Sequence, residues 1–332
     1  MTRLIQVADA AGVRRVCVVD GDALHTIDGY ASVYRLATAA LIADIPLSPF
    51  IANHIGTERV AYDAVYDGRN GWRVLPVIDH PGDSARLLIS GTGLTHQRSA
   101  DQRQAMHAPD ATPTDSLRMY EWGVAGGRPA AGSIGAEPEW FYKGTGDLLR
   151  GHGEALVVPA FAGDGGEEPE IAGVYLIDRQ GNPRRIGMAI GNEFADHVLE
   201  RRNYLYLAAS KLRNCSVGPE LVIDADFSDV HGEVAIERNG AVLWSRQIHT
   251  GEWAMCHSLA NMEHHHFKHA SHRRIGDVHV HFFGADAFSF GAGIALDSGD
   301  VLRVQFDGFG RALRNAIVVE GGAPPLITVQ PV

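Results

Sequence analysis

Lysine is nearly missing from this 332-residue chain: of its 29 basic residues only Lys143, Lys211 and Lys268 are lysines. Arginine serves wherever a generic surface cation is needed, so a retained lysine marks a position where a compact ammonium has its own task; chance survival is the alternative. Cysteine is equally scarce. Cys17, Cys215 and Cys256 lie far apart and form no CxxC pair, which excludes a disulfide framework and a structural zinc knuckle. No apolar run approaches the ~20 residues of a membrane span, and the opening MTRLIQVADAAGVRR lacks the charge order of a secretory signal. The expectation is a cytoplasmic protein. With a net charge of −11 and no basic stripe, a nucleic-acid partner is not expected either.

What is present is ordinary globular composition with legible periodicity. Val13–Val19 reads as a strand, Gly21–Asp22 as a turn and Ala31–Ile45 as an amphipathic helix, together a small mixed α/β unit over residues 1–80. His80-Pro81-Gly82-Asp83-Ser84 is dense in turn formers and marks a boundary, with a second unit over 85–332. Residues 97–138 are polar, with one helical stretch near Asp115–Val124, and read as a cover or insertion. Strands are expected at Arg86–Ser90, Glu139–Gly144, Ile171–Ile177, Ile186–Ile190, Val278–Phe283 and Val301–Phe306. A hairpin is expected around Asn239-Gly240, the preferred pair for a type I′ turn. Residues 194–210 read as one helix with Phe194, Val198, Leu199 and Leu205 facing the core. The class is α+β, rich in strands after residue 140.

Chemistry concentrates at Glu168-Pro169-Glu170. In an extended strand, residues two apart share a face about 6–7 Å apart, so the two carboxylates can converge on one hard cation. Pro169 has no N–H to give a ladder, which places the segment at a sheet edge or a strand start. Gly191-Asn192-Glu193 then ends a strand after a hairpin and can return a third carboxylate to the same point. Three carboxylates suit Mg²⁺ or Mn²⁺. Taken alone, however, Asp164-Gly165-Gly166-Glu167-Glu168 reads first as a solvated acidic turn.

The wider pattern changes that weighting. Glu168-Pro169-Glu170-Ile171-Ala172, then Gly191-Asn192-Glu193-Phe194-Ala195, then Lys211 before Gly218-Pro219-Glu220, then Gly276-Asp277-Val278 and Gly308-Phe309-Gly310 with Leu313-Arg314-Asn315 follow one another in order. Over residues 85–320 this resembles the fumarylacetoacetate hydrolase family. The resemblance implies that family's β-roll, a homodimer, a small 2-keto acid substrate and a metal held by Glu168, Glu170 and Glu193. It further implies Lys143 (in EWFYKG) and Ser216 as substrate contacts. The segments GTGLTH, GNEFADHVLERRNYLYLAASKLRNCSVGPEL and HSLANMEHHHFKH resemble a sugar-acid branch that dehydrates 2-keto-3-deoxy-pentonates of the arabinonate type. Two departures stand out. Glu193 occupies an aspartate position, and no His-x-x-Glu follows His96, Ser99 standing at that spacing. The hydrolytic members use such a His-Glu pair to activate water, so its loss favours elimination.

The resulting expectation is a metal-dependent dehydratase in pentose catabolism, turning a 2-keto-3-deoxy-pentonate into 2,5-dioxopentanoate. Lys211, with a pKa lowered by burial beside the bound cation, is the expected base, and His96 is the candidate acid. His265 and His266 are expected to line the pocket. The nine histidines between His249 and His281 also allow a zinc reading through His264, His265, His266, His269, His279 and His281. Hydrolysis of a 2,4-diketo acid, decarboxylation of an oxaloacetate-like acid, and an inactive sugar-acid-binding protein are the rivals. Gly91-Thr92-Gly93 fails as a dinucleotide loop because the third glycine and a βαβ unit are missing.

Overall fold

The computed structural model describes residues 1–107 and 114–332. Part of the expected 97–138 cover therefore lies outside the described residues.

The run PEIAGVYLI forms a strand at Pro169–Ile177 whose nine residues are all buried. A strand covered on both faces has no polar side, and this explains the unbroken apolar run. Ala172, Val174 and Leu176 enter one core with the helix Val33–Ala43, while Ile171, Tyr175 and Ile177 enter a second core. The strand turns at 178–182 and returns antiparallel as Pro183–Asn192, pairing Pro169 with Asn192 and Glu170 with Gly191. On its other side lies Val278–Phe282, antiparallel, then Leu87–Gly93 parallel to that, then Glu139–Thr145. Pro169 is thus a strand start in the middle of a sheet rather than at an edge, and the missing N–H falls where the ladder has only begun.

This sheet has thirteen strands among the described residues. Through Leu221–Val222 it continues into Arg3–Ala8, Arg14–Asp20, Ala23–Ile27 and Ile55–Ala61. The expected 1–80 and 85–332 units therefore share one sheet, and residues from both build the first core. A second sheet of five strands runs Ala241–Thr250, Val230–Arg238, Val301–Phe306, Leu313–Val319 and Leu156–Val158. Its hairpin turns at Asn239-Gly240, both at positive φ as a type I′ turn requires. The second core fills the space between the sheets, with Met262 and Phe267 of the helix Leu259–Phe267 added.

One expected element differs. The single helix over 194–210 is three short pieces, His197–Arg202, Tyr204–Tyr206 and Leu207–Ser210. Asn203 is extended, and its side chain accepts from Leu205 N, so the backbone restarts there. The restart turns Leu205 outward, 91% exposed, instead of into the core. No described helix is long and apolar enough to cross a membrane.

Candidate active site

The site forms at the open end of the 169–192 hairpin. Beyond the last ladder pair, Glu193 N–H donates to Glu168 O at 2.9 Å, which makes the two acids cross-strand neighbours despite their separation in sequence. Glu170 lies one ladder step inward. One oxygen from each of Glu168, Glu170 and Glu193 falls within 4.8 Å of the others, and all three residues are buried. Asn192 fixes the geometry by accepting Glu168 N–H on its side-chain oxygen.

Electrostatics sorts the three acids. Burial opposes ionisation of Glu168, but Lys211, His197 and Arg103 outweigh it and hold its carboxyl well below the usual range. Glu170 is the reverse: burial, reinforced by Glu193 and Glu168, pushes it well above. Its one described hydrogen bond is from Gly284 N–H at 2.6 Å. Glu193 is also raised, by burial, although Lys143 and Lys211 oppose this. A buried carboxylate without a cation beside it is costly, so this donor set fits a hard divalent ion.

Two of the three lysines are here. Lys211 Nζ donates to Glu168 Oε1 at 2.7 Å and Glu193 Oε2 at 2.5 Å, with the Phe141 ring 4.7 Å away. Burial works to lower its pKa, but the two carboxylates prevail and the net shift is upward. In the chain without a cation Lys211 is therefore held as an ammonium, whereas the expected lowering belongs to the chain with an ion bound beside it. Lys143 Nζ donates to Glu193 Oε1, to Phe194 O at 2.8 Å and to Lys211 O at 2.9 Å. An ammonium has three donors, and all three are used inside the protein. The structure thus makes Lys143 the anchor of Glu193 instead of a free hand for substrate.

A small cavity of about 20 Å³ adjoins the acids, lined among others by Ser99, Arg103, Glu139, Phe141, Lys211 and Phe288. That is room for a water or two. Sequence reasoning missed Arg103 and Glu139. Arg103, one turn after Ser99 on the helix Gln97–His107, reaches Glu200 and lies 3.5 Å from Glu168. Glu139 pairs with Tyr204 and lies opposite Gly93 in the ladder, where a Cβ would collide with its carboxylate. The GTG sequence was the available signal: its glycines make room for Glu139 and the Phe141 ring, not for a phosphate. Burial raises the Glu139 pKa, against Tyr204, Arg103 and Lys211.

The remaining expected site residues are not gathered at this cavity. His96 is fully enclosed, with Nδ1 2.9 Å from Thr95 Oγ1 and Nε2 3.1 Å from Thr250 Oγ1, and burial drives its pKa to about 3. It is neutral at physiological pH, so it cannot serve as the acid. Ser216 donates to Asn315 Oδ1 at 2.7 Å. His266 bonds to His279 and to the Trp140 N–H, and His265 to Gly135 O. His281 takes Ser90 and Thr92, whose side chains alternate with Gly91 and Gly93 and so leave the other face of the strand from Glu139.

The His96 environment has a measurable consequence. Its folded pKa lies below the unfolded value near 6.5, so between these limits the unfolded chain binds the extra proton and acid destabilises the fold. Relative to His96→Gln, the wild-type chain is expected to lose about 1.4 kcal/mol per pH unit between roughly pH 6 and 4. Urea unfolding of both proteins at several pH values checks this; parallel stability curves would disprove it.

The arrangement of sheets, hairpin and acids can be set beside known proteins. A 2-keto-3-deoxyarabinonate dehydratase in a hexagonal crystal form superposes with a TM-score of 0.71 at 20% identity, covering 96% of this chain and 100% of that one. The chain has the fumarylacetoacetate hydrolase-type fold. The 2-keto-3-deoxy-D-arabinonate dehydratase solved with magnesium and 2,5-dioxopentanoate gives 0.69 at 20% identity over 96% of this chain and 99% of that one. A 2-hydroxyhepta-2,4-diene-1,7-dioate isomerase from Mycobacterium marinum gives 0.59 at 17% identity, covering 97% and 100%. In sequence, the 2-dehydro-3-deoxy-D-arabinonate dehydratase of Saccharolobus solfataricus is 30% identical over 120 residues, 35% of this chain and 39% of that protein. The chain thus matches well under half the length of this curated relative. No family model matches the sequence.

Proposed function

We propose that this protein is a divalent-metal-dependent hydro-lyase that removes water from a 2-keto-3-deoxy sugar acid, a pentonate giving 2,5-dioxopentanoate and water. The observation that carries the reading is the buried trio Glu168, Glu170 and Glu193 beside a cavity faced by one ammonium and one protonatable carboxyl. The fold is shared with a dehydratase whose structure holds magnesium and 2,5-dioxopentanoate, and the stretch of sequence similarity is to an enzyme of the same reaction type.

The trio would hold the ion, Mg²⁺ or Mn²⁺, which when bound supplies Lewis acidity to the 2-keto oxygen and so acidifies the C3 protons. The protein's own groups do the rest. Lys211 places a fixed positive charge where negative charge develops on the substrate. Glu139, at the cavity wall with its carboxyl raised by burial, takes the C3 proton and returns one to the departing C4 hydroxyl; tautomerisation then gives the C5 aldehyde. A raised carboxyl suits this double duty, because burial makes it a stronger base than a solvated carboxylate. Arg103 lies at the cavity wall in position to meet the substrate carboxylate. The absence of a His-Glu pair, with Ser99 at the spacing where the glutamate would follow His96, favours this over C–C hydrolysis of a diketo acid. A homodimer remains part of the proposal on the family resemblance, and a cytoplasmic location on the scarce, unpaired cysteines.

The test is turnover of a 2-keto-3-deoxy-pentonate, an acylpyruvate and oxaloacetate with Mg²⁺, with Mn²⁺ and with EDTA. Only the first is expected to react, and only with metal; dominant acylpyruvate cleavage would overturn the reading. Glu139→Gln is expected to lower kcat about 10²-fold or more while leaving Mg²⁺ affinity unchanged. C3 proton exchange in D₂O should stop with it. Continued exchange in Glu139→Gln, with loss in Lys211→Met, would restore the lysine as base.

A further inference from the structure

A second cluster of metal-binding side chains lies away from the acidic trio, at the mouth of the 230–250 hairpin in the five-stranded sheet. His231 and His249 are directly opposed in the ladder. Their rings are 4.3 Å apart, and both Nε2 atoms point at Asp229 Oδ1, from 3.4 Å for His231 and 2.6 Å for His249. One donor atom from each residue falls within 4.8 Å of the others. All three side chains are accessible, at 61%, 40% and 37%.

From this we infer a surface site for a borderline transition-metal ion of the Zn²⁺ class. Two imidazoles and one carboxylate are the ligand chemistry of zinc, with a fourth position open to water. The same set is a poor match for Mg²⁺, which wants oxygen. The backbone under the ligands is fixed independently of any ion. Glu252 N–H and Trp253 N–H donate to Phe227 O and Ser228 O, pinning the Asp229 loop to the turn after Thr250. His249 N–H donates to Asp286 Oδ2 at 3.1 Å, and Asp286 is itself held by Arg98. Ligands carried on a fixed frame lose little order on binding. One adjustment is needed: two stacked rings cannot share an ion in both planes, so they must tilt. The terminal torsion of histidine is soft, and exposed rings are free to turn. Through Asp286 and Arg98 the site abuts the start of the Gln97–His107 helix, which also carries Ser99 and Arg103 to the cavity.

The experiment titrates Zn²⁺ into the full chain in excess Mg²⁺, against a chromophoric chelator, for wild type, His231→Gln/His249→Gln and Asp229→Asn. Wild type should bind one more equivalent than the double variant, or bind it roughly tenfold or more tightly; Asp229→Asn should be intermediate. Co²⁺ should give the intense visible bands of a four-coordinate site in wild type and lose them in the double variant. Unchanged thermal unfolding without metal shows that the variants fold. Equal zinc stoichiometry and affinity in all three proteins, or no zinc bound by wild type, would overturn the site.

Discussion

Glu170→Gln is expected to abolish divalent-cation binding and turnover while leaving the cation-free chain at least as stable as wild type. The two effects have one cause. In the absence of an ion, Glu170 is a buried carboxyl facing two others, and burial with Glu193 and Glu168 disfavours its charge. Glutamine keeps the acceptor for Gly284 N–H and removes the repulsion. It also removes the one member of the trio with no described salt-bridge partner, the oxygen an arriving ion would neutralise. Loss of a ligand costs more than the 10–100-fold typical of an outer partner, and loss of Lewis-acid assistance costs several kcal/mol of barrier, about 10³-fold or more in kcat. Thermal unfolding with EDTA and with Mg²⁺ separates the effects. Wild type should gain about 2.7 kcal/mol at a hundredfold excess over Kd, and Glu170→Gln nothing. A variant that still responds to Mg²⁺ would show that the ion sits elsewhere.

Lys143→Met should do the opposite, costing about 3–5 kcal/mol of stability. That is a large share of the roughly 5–15 kcal/mol that holds a domain folded. Lys143 and Glu193 are both fully buried, so the substitution strands a charge with Lys211 as its sole remaining cation. The carbonyls of Phe194 and Lys211 lose their ammonium donor as well. Phe194 sits at a φ of 48°, a left-handed conformation uncommon for a residue with a side chain, and this bond helps to hold it. Arginine should not rescue, because its planar fork is too large for the three acceptors around one nitrogen. Urea unfolding reads the loss directly. A substrate-binding lysine would behave differently: KM would rise and the unfolding midpoint would stay, and that pattern would refute the anchoring role.

Gly93 and Lys143 owe their roles to neighbours distant along the chain. The period of two placed Glu168 and Glu170 on one face, and the hairpin signals returned Glu193 to them, because a strand's geometry is local and a turn's residues announce it. The scarcity of lysine pointed at Lys143 and Lys211 as positions with a task. The sequence could not say which task. That depended on acceptors 50 and 68 residues away that consume the Lys143 donors, and on two carboxylates that hold Lys211 charged.

The same limit governs the histidines. The period of a strand or a helix tells which residues share a face, never which face meets the cavity, so His265 and His266 on their helix and His281 on its strand could be placed only by the stacking of layers. Glu139 and Arg103 carry no motif of their own. They become site residues because Gly93 leaves a gap opposite one and the Gln97–His107 helix lays the other across the acids. By itself the sequence determined the strands, the hairpin and the acid trio's candidates, all properties of short-range backbone geometry. The tertiary structure alone decided the charge state and availability of each group, because burial and partner number are set by neighbours distant along the chain.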